Sequence, residues 1–187
     1  VSENVMAWIV EGTWPACVDA VRAHAPDGAS VTLLHVSDAE VPGIAHGAFA
    51  GLLGRGRASH DPGRELEDLE AASAAELLEE AAARLGLPCE RRALTGRVER
   101  EVVAAAGDAD LLVVARDGDR ERLGPHSLGP TSRFVVDHAP CQVLLVWPEH
   151  VPDLTTIPPE PPGHPEPPEH PGPARHPGPP GAPPHRP

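Results

Sequence analysis

Four groups of residues in this chain are of types that do chemistry. They are Ser132, Asp137 and His138; the cysteines Cys17, Cys89 and Cys141; the His-Pro pairs beginning at His164, His170 and His176; and two turns, Glu11-Gly12-Thr13 and the Arg-bearing loop from Ala115 to Gly129. Serine, aspartate and histidine are the parts of a hydrolytic triad. Here they lie on or at the end of one short helical pattern, where their spacings do not converge on one point, so no nucleophile is assigned. The cysteines are odd in number, scattered and without CxxC spacing, which reads as buried free thiols and not as a disulfide or a metal site. Cys141 enters an apolar run and reads as core. The three tail histidines recur every sixth residue, two turns of polyproline II, and so share one face. They stand about 19 Å apart at about 3.1 Å per residue, too far to chelate one metal unless the chain folds back on itself. That leaves the two turns.

The elements that must position those turns are short and apolar. Val5 to Val10 and Val31 to Val36 are near-continuous apolar runs, as are Leu111 to Val114 and Val143 to Val146. Such runs are expected of strands covered on both faces. Cys89 to Leu94 is a weaker strand, placed near an edge because Glu90, Arg91 and Arg92 interrupt it. Between them lie helical patterns: Pro15 to about His24, a long one opened by Asp61-Pro62 and closed by Gly86, a short one bearing Val98, Val102 and Val103, and Pro130 to Asp137. The long helix is expected to bury Leu66, Leu69, Leu77, Ala81 and Leu85. His35, at the end of the second strand, reads as half-buried and hydrogen-bonded. Ser37 to His60 reads as an irregular loop with a short helical turn around 46–53. Strands alternating with helices imply a parallel sheet with helices on both faces. Ligands in such folds bind beyond the carboxyl ends of the strands where strand order reverses, which selects Glu11-Gly12-Thr13 and the Ala115 to Gly129 loop.

Composition sets the outer bounds. The chain has 187 residues, 40% hydrophobic but only 3% aromatic with no Tyr, so its core is built from Ala, Val and Leu. A formal net charge of −13 argues against a nucleic-acid partner, which needs a positive surface. No apolar run approaches the roughly 20 residues that span a bilayer, and the first residues lack the basic, apolar pattern of a signal peptide, so a cytoplasmic location is expected. From Pro148 onward composition changes: 17 of the 25 prolines lie there and few apolar side chains remain. The expected organisation is an α/β domain over residues 1–147 and a disordered Pro/His-rich tail over 148–187, a solubilising segment with polyproline II character.

One stretch carries a family resemblance. Leu128-Gly129-Pro130-Thr131-Ser132-Arg133-Phe134, continuing through His138-Ala139-Pro140-Cys141 to Val143-Leu144-Leu145-Val146, resembles the end of a universal stress protein. That family typically reads LGS-x-S, an amphipathic helix, HAPCPV and a terminal apolar strand. Val10-Glu11-Gly12-Thr13 stands where VDGS is usual, Val31 to Val36 is similar to the TLLHV strand, and Ala109 to Ala115 to the ADLLVVG strand. The resemblance covers roughly residues 4 to 147 in the family's order. It implies a five-stranded parallel open sheet, Rossmann-like and similar to the adenine nucleotide α-hydrolase fold. It also implies a homodimer made by antiparallel pairing of Val143, Leu144, Leu145 and Val146 with a second copy, which would cover an apolar edge.

The family divides into ATP binders and non-binders. Binders carry G-x2-G-x9-G-[ST] after the fourth strand, where glycines let backbone N–H groups approach phosphates and a helix N-terminus adds partial positive charge. Their carboxylate after the first strand meets the adenine edge. This sequence departs at each part. Ala115 replaces the first glycine, ten residues separate Gly118 from Gly129, Pro130 replaces the hydroxyl residue and lacks an N–H, and Glu11 replaces aspartate. Pro130 also reads simply as a first-turn proline, and Glu11 as a carboxylate at the positive end of the next helix. Thr131 and Ser132 keep hydroxyls, and Arg116, Arg120 and Arg122 keep charge. The first reading is therefore a regulatory or protective module without catalysis or cofactor, acting through partners. The alternative is an ATP-binding sensor whose site is lined by Glu11, Gly118, Gly129, Thr131 and Ser132. A third, an enzyme on a related fold, has no recognisable base or nucleophile to support it.

Overall fold

Strands with apolar residues at every position need cover on both sides, and the fold supplies it. The structure is a computed structural model that describes residues 3–39 and 62–159. Most of the expected 37–60 loop, with its helical turn at 46–53, lies outside the described residues, as do Asp61 and residues 160–187 with His164, His170 and His176. In chain order the elements are β1 (Asn4–Trp8), α1 (Trp14–His24), β2 (Ser30–Asp38), α2 (Pro62–Leu85), β3 (Glu90–Gly96), α3 (Val98–Ala105), β4 (Leu111–Ala115), α4 (Pro130–His138) and β5 (Gln142–Val146). The five strands form one sheet in the order β3-β2-β1-β4-β5. Every pairing is parallel, with Val5 opposite Val31 on one side and Leu111 on the other.

The core shows why the strand residues are apolar without alternation. Val5, Ala7 and Ile9, with Val31, Leu33, Val113 and Ala115, point to the face covered by α1 and α2. Met6, Trp8, Leu34, Val36, Leu112 and Val114 point to the opposite face, covered by Val102 and Ala105 of α3 and Val135 of α4. Period-two geometry sends neighbouring side chains to opposite faces, and both faces are dry. β3 is an edge strand, as its charged residues predict.

Two expectations about packing change. In α2 the buried line is Ala74, Leu78, Ala81 and Leu85, at spacings of four, three and four, whereas Leu69 is 66% exposed and Leu77 only half-buried. The helix turns about 100° per residue, so once Ala81 and Leu85 face the sheet, Leu78 lies on their line and Leu69 rotates away. Arg84 then forks onto Asp19 of α1, with Nε and Nη2 donating to the two carboxylate oxygens at 2.9 and 2.6 Å. The guanidinium's hydrogen bonds and charge hold the Asp19 carboxyl below its ordinary value. The second change concerns the start of the tail. Residues 148–159, grouped with the disordered segment in the sequence, are described, include a 3-10 turn at Leu154–Thr156 and pack back on the fold.

The register of α2 is directly testable. Leu78→Ala is expected to cost about 2–5 kcal/mol, the range for emptying a buried leucine site. Leu69→Ala should stay within about 0.5 kcal/mol, as exposed positions do. Urea unfolding midpoints of the two variants measure the difference, and equal losses would refute this burial pattern.

Candidate functional site

Strand order reverses between β1 and β4, and the chain leaves both strands at the same end of the sheet. After β1, Gly12 takes a φ of +76°, open to glycine at little cost, and turns the chain into α1. The α1 cap residue is Thr13, which is buried. Its hydroxyl donates to the Val10 carbonyl at 3.2 Å and not to the helix, so no side chain caps α1. Glu11 is exposed and makes no cap either. It lines a small cleft of about 220 Å³ whose other walls include His35, Asp38 and Glu70. The cleft thus gathers three carboxylates. Nδ1 of His35 lies 2.8 Å from the Ile9 carbonyl, which only accepts, so Nδ1 carries the proton.

The β4 loop is held by its own hydrogen bonds. Gly118 N–H donates to the Ser127 carbonyl at 3.1 Å and Asp119 N–H to the His126 carbonyl at 2.8 Å. Ser127, buried, donates its hydroxyl to the Gly124 carbonyl at 2.7 Å. Arg116 donates to Ser127 Oγ, and its guanidinium lies over the Trp147 ring, 4.8 Å from the centroid. The most informative contact is at the entry to α4: Asp117 Oδ1 accepts from the Gly129 N–H at 2.7 Å. A carboxylate there satisfies one of the helix's free donors and lies at its positive end.

The glycines have reasons of their own. A Cβ on Gly118 would lie 2.2 Å from the His126 carbonyl oxygen, and one on Gly129 would lie 2.9 Å from Asp117 Oδ2. Gly118 is required by the close approach of backbone within the loop, before any ligand is considered, whereas at Gly129 the near atoms are a side-chain carboxylate. Pro130 occupies the first turn of α4, where its missing N–H breaks no intrahelical bond. Ser132 is buried, with 1% of its surface exposed, so its hydroxyl is turned away from any ligand at the surface; Thr131 is half-buried. The structure therefore puts Gly118, Gly129, Thr131 and Ser132 at one loop-to-helix junction. Glu11 instead lines a cleft whose walls come from β2 and α2. His138 Nδ1 donates to the Phe134 carbonyl at 2.8 Å, and the imidazole stacks on the Phe134 ring. All three thiols are pushed up, Cys17 to about 12 by burial.

Sequence reasoning missed two parts of this site. Asp117 carried a usable signal, since an acidic residue inside a loop suited to phosphates is out of place. The second is the strap formed by residues 148–159. Asp153 Oδ1 accepts from Thr155 N–H at 2.8 Å, and the Thr156 hydroxyl donates to the Asp153 carbonyl at 2.6 Å. The Thr156 hydroxyl oxygen also accepts from Leu123 N–H at 3.1 Å, which pins the strap to the β4 loop. Glu149 adds a contact to Arg120 at 3.6 Å. Asp-x-Thr is a recognisable turn pattern, hidden here by its setting among prolines.

Comparison with known proteins places this geometry. The profile described as Universal stress protein family matches residues 11–146. No curated protein matches the chain. Among solved structures, the hypothetical protein MJ0577 is similar with a TM-score of 0.60 at 18% identity, over 79% of this chain and 97% of that one. Universal stress protein UspA from Lactobacillus plantarum is similar with a TM-score of 0.52 at 23% identity, over 77% and 97%. A universal stress protein described in complex with cAMP gives 0.51 at 18% identity, over 79% and 98%. At these identities the structures establish the shared fold.

The loop's self-sufficiency has a measurable consequence. Gly118→Ala is expected to speed hydrogen exchange at the amides of residues 118, 119 and 127 while those of β4 keep their protection. Unchanged exchange at the loop amides would show that Gly118 is not held by the approach of the His126 carbonyl.

Proposed function

This chain belongs to the universal stress protein family, and from that premise we propose that it is a non-catalytic regulatory or protective module of the cytoplasm. It works as a homodimer, through protein partners and without a bound nucleotide. The observation that carries the reading is the Asp117 carboxylate on the Gly129 N–H, 2.7 Å away. The amide that a phosphate would need at the head of α4 already has an anionic partner from its own chain. A phosphate brought there would meet a like charge and a spent donor. The Gly118 amide is likewise committed, to Ser127, and Pro130 offers none. In the other half of the site, Glu11, Asp38 and Glu70 share one cleft, a poor setting for a polyanion.

Two further features support a binding module. Burial pushes the Cys17 thiol up to about 12, away from nucleophilic character, and Ser132 is buried as well. At the opposite end of the sheet order from β3, β5 is an edge strand with Val143, Leu144, Leu145 and Val146 all half-exposed. A half-exposed run of four aliphatic residues on an unpaired edge favours a copy-to-copy sheet. No helix among the described residues is long and apolar enough to cross a membrane.

Titration calorimetry with ATP, on protein checked for co-purified nucleotide, tests the nucleotide half of the reading. No binding heat at millimolar ATP is expected. Micromolar binding that survives in the wild-type chain would overturn the reading and favour the ATP sensor. Asp117→Ala, which frees the Gly129 amide, is the informative variant, because Gly118 is already needed by the loop itself. Sedimentation equilibrium tests the other half: a mass about twice 19.6 kDa is expected, falling to the monomer on Val143→Lys. A wild-type monomer would remove the dimer from the proposal.

A further inference from the structure

An open groove of about 770 Å³ lies along the outer side of α4. Its walls include Pro125, His126, Leu128, Pro130, Phe134 and His138. The Phe134 and His138 rings form a slab, stacked at 4.0 Å between centroids with planes 11° apart. Arg100 from α3 sits with its guanidinium 5.3 Å from the Phe134 centroid, and Arg133 donates to the Pro125 carbonyl at the groove's rim. Asp137 is the acid that borders it. Aromatic slabs between apolar walls are the surfaces on which polyproline II segments dock, because a preformed extended helix loses little entropy on binding.

The chain itself provides such a segment at the groove's edge. Thr156 is tied to Leu123, and the Pro158 ring comes within 3.7 Å of the position a Cβ would take on Gly124. Gly124 is followed directly by Pro125, the first residue of the groove wall. Pro158, which therefore stands beside the groove, is two residues ahead of residues 160–187. Their first stretch, Glu160-Pro161-Pro162-Gly163-His164-Pro165-Glu166-Pro167-Pro168-Glu169, is half proline and carries three carboxylates and no arginine. The nine residues of α4 extend about 13 Å at 1.5 Å each, a length that about five polyproline II residues cover. The three carboxylates of the stretch are opposite in charge to Arg100 and Arg133 at the groove.

We propose that residues 160–169 dock in cis along the α4 groove as a polyproline II segment, seated on the Phe134–His138 slab and delivered there by the strap at Thr156 and Pro158. This does not depend on the nucleotide or dimer readings. It makes the tail a built-in competitor for any proline-rich or acidic partner of this surface.

The test uses the full chain in solution. Proline Hδ signals from Pro161, Pro162 and Pro165 are expected to move upfield from their random-coil positions and to show NOEs to the Phe134 and His138 rings. Replacing Pro161, Pro162, Pro165, Pro167 and Pro168 together by Ala, in a stretch outside the sheet and helices, should abolish those NOEs. It should also shift the amides of residues 125–138 and leave those of β1 and β4 unmoved. Random-coil proline shifts in the wild type, with no change at 125–138 in the variant, would overturn the proposal. A mixture of carbon-13-labelled and unlabelled chains decides the source: NOEs found only between copies would overturn docking in cis in favour of tail exchange.

Discussion

The burial of β1, β2 and β4 on both faces is the constraint from which the rest of this structure follows. Among the described residues fourteen core residues pack on one side of the sheet and ten on the other, so neither helix layer can be lost without exposing a full face of aliphatic side chains. At roughly 1.5–3 kcal/mol for each large aliphatic residue removed from water, this term dominates the favourable side of folding. It also explains the parallel connections. Strands covered on both faces must be joined by helices crossing over the sheet, and such crossings bring every strand's carboxyl end to one rim. The turns after β1 and β4 meet at that rim because the strand order reverses there.

At the rim, packing gives way to polar satisfaction. The β4 loop contains backbone groups that a bound anion would satisfy in a nucleotide-binding loop of this fold. Here the chain satisfies them itself: Asp117 takes the Gly129 amide, Ser127 takes the Gly118 amide, and Arg116 is held between Ser127 and Trp147. A buried or half-buried donor left without a partner costs about 1–3 kcal/mol, which the Asp117 carboxylate spares the Gly129 amide. The strap at 148–159 adds a second layer, since Thr156 both closes its own 3-10 turn and accepts from Leu123. The architecture of the family is kept, and the Gly129 and Gly118 amides bond to the chain's own Asp117 and Ser127. The loop has become a structural joint between the sheet, α4 and the C-terminal chain.

Much of this was legible in the residues. Apolar runs without alternation announced two-sided strands, charged residues in Glu90 to Arg92 announced an edge, and Pro130 after Gly129 announced a helix start. Each of these signals is local, fixed by backbone sterics or by the period of the strand, and each was read correctly. The buried face of α2 was read less well. Several leucines offered competing stripes, and only the direction in which Ala81 and Leu85 meet the sheet selects Leu78 over Leu69. Asp153 to Thr156 was overlooked because proline-rich composition outweighed a short capping pattern whose value lies in the loop it reaches.

By itself, then, the sequence determined the order of elements, the two-faced sheet and the family. These depend on periodicity, on turn chemistry and on motifs written in consecutive residues. Only the tertiary structure decided who occupies the site. That Asp117 meets Gly129, twelve residues on, and that Thr156 meets Leu123, thirty-three residues back, are outcomes of how the loop and the strap cross in space. The same holds for the meeting of Glu11 with Asp38 and Glu70, which β2 and α2 bring to one cleft. Hydrogen bonds act over about 3 Å and take whatever partner the fold brings within reach, so sequence spacing alone does not name that partner.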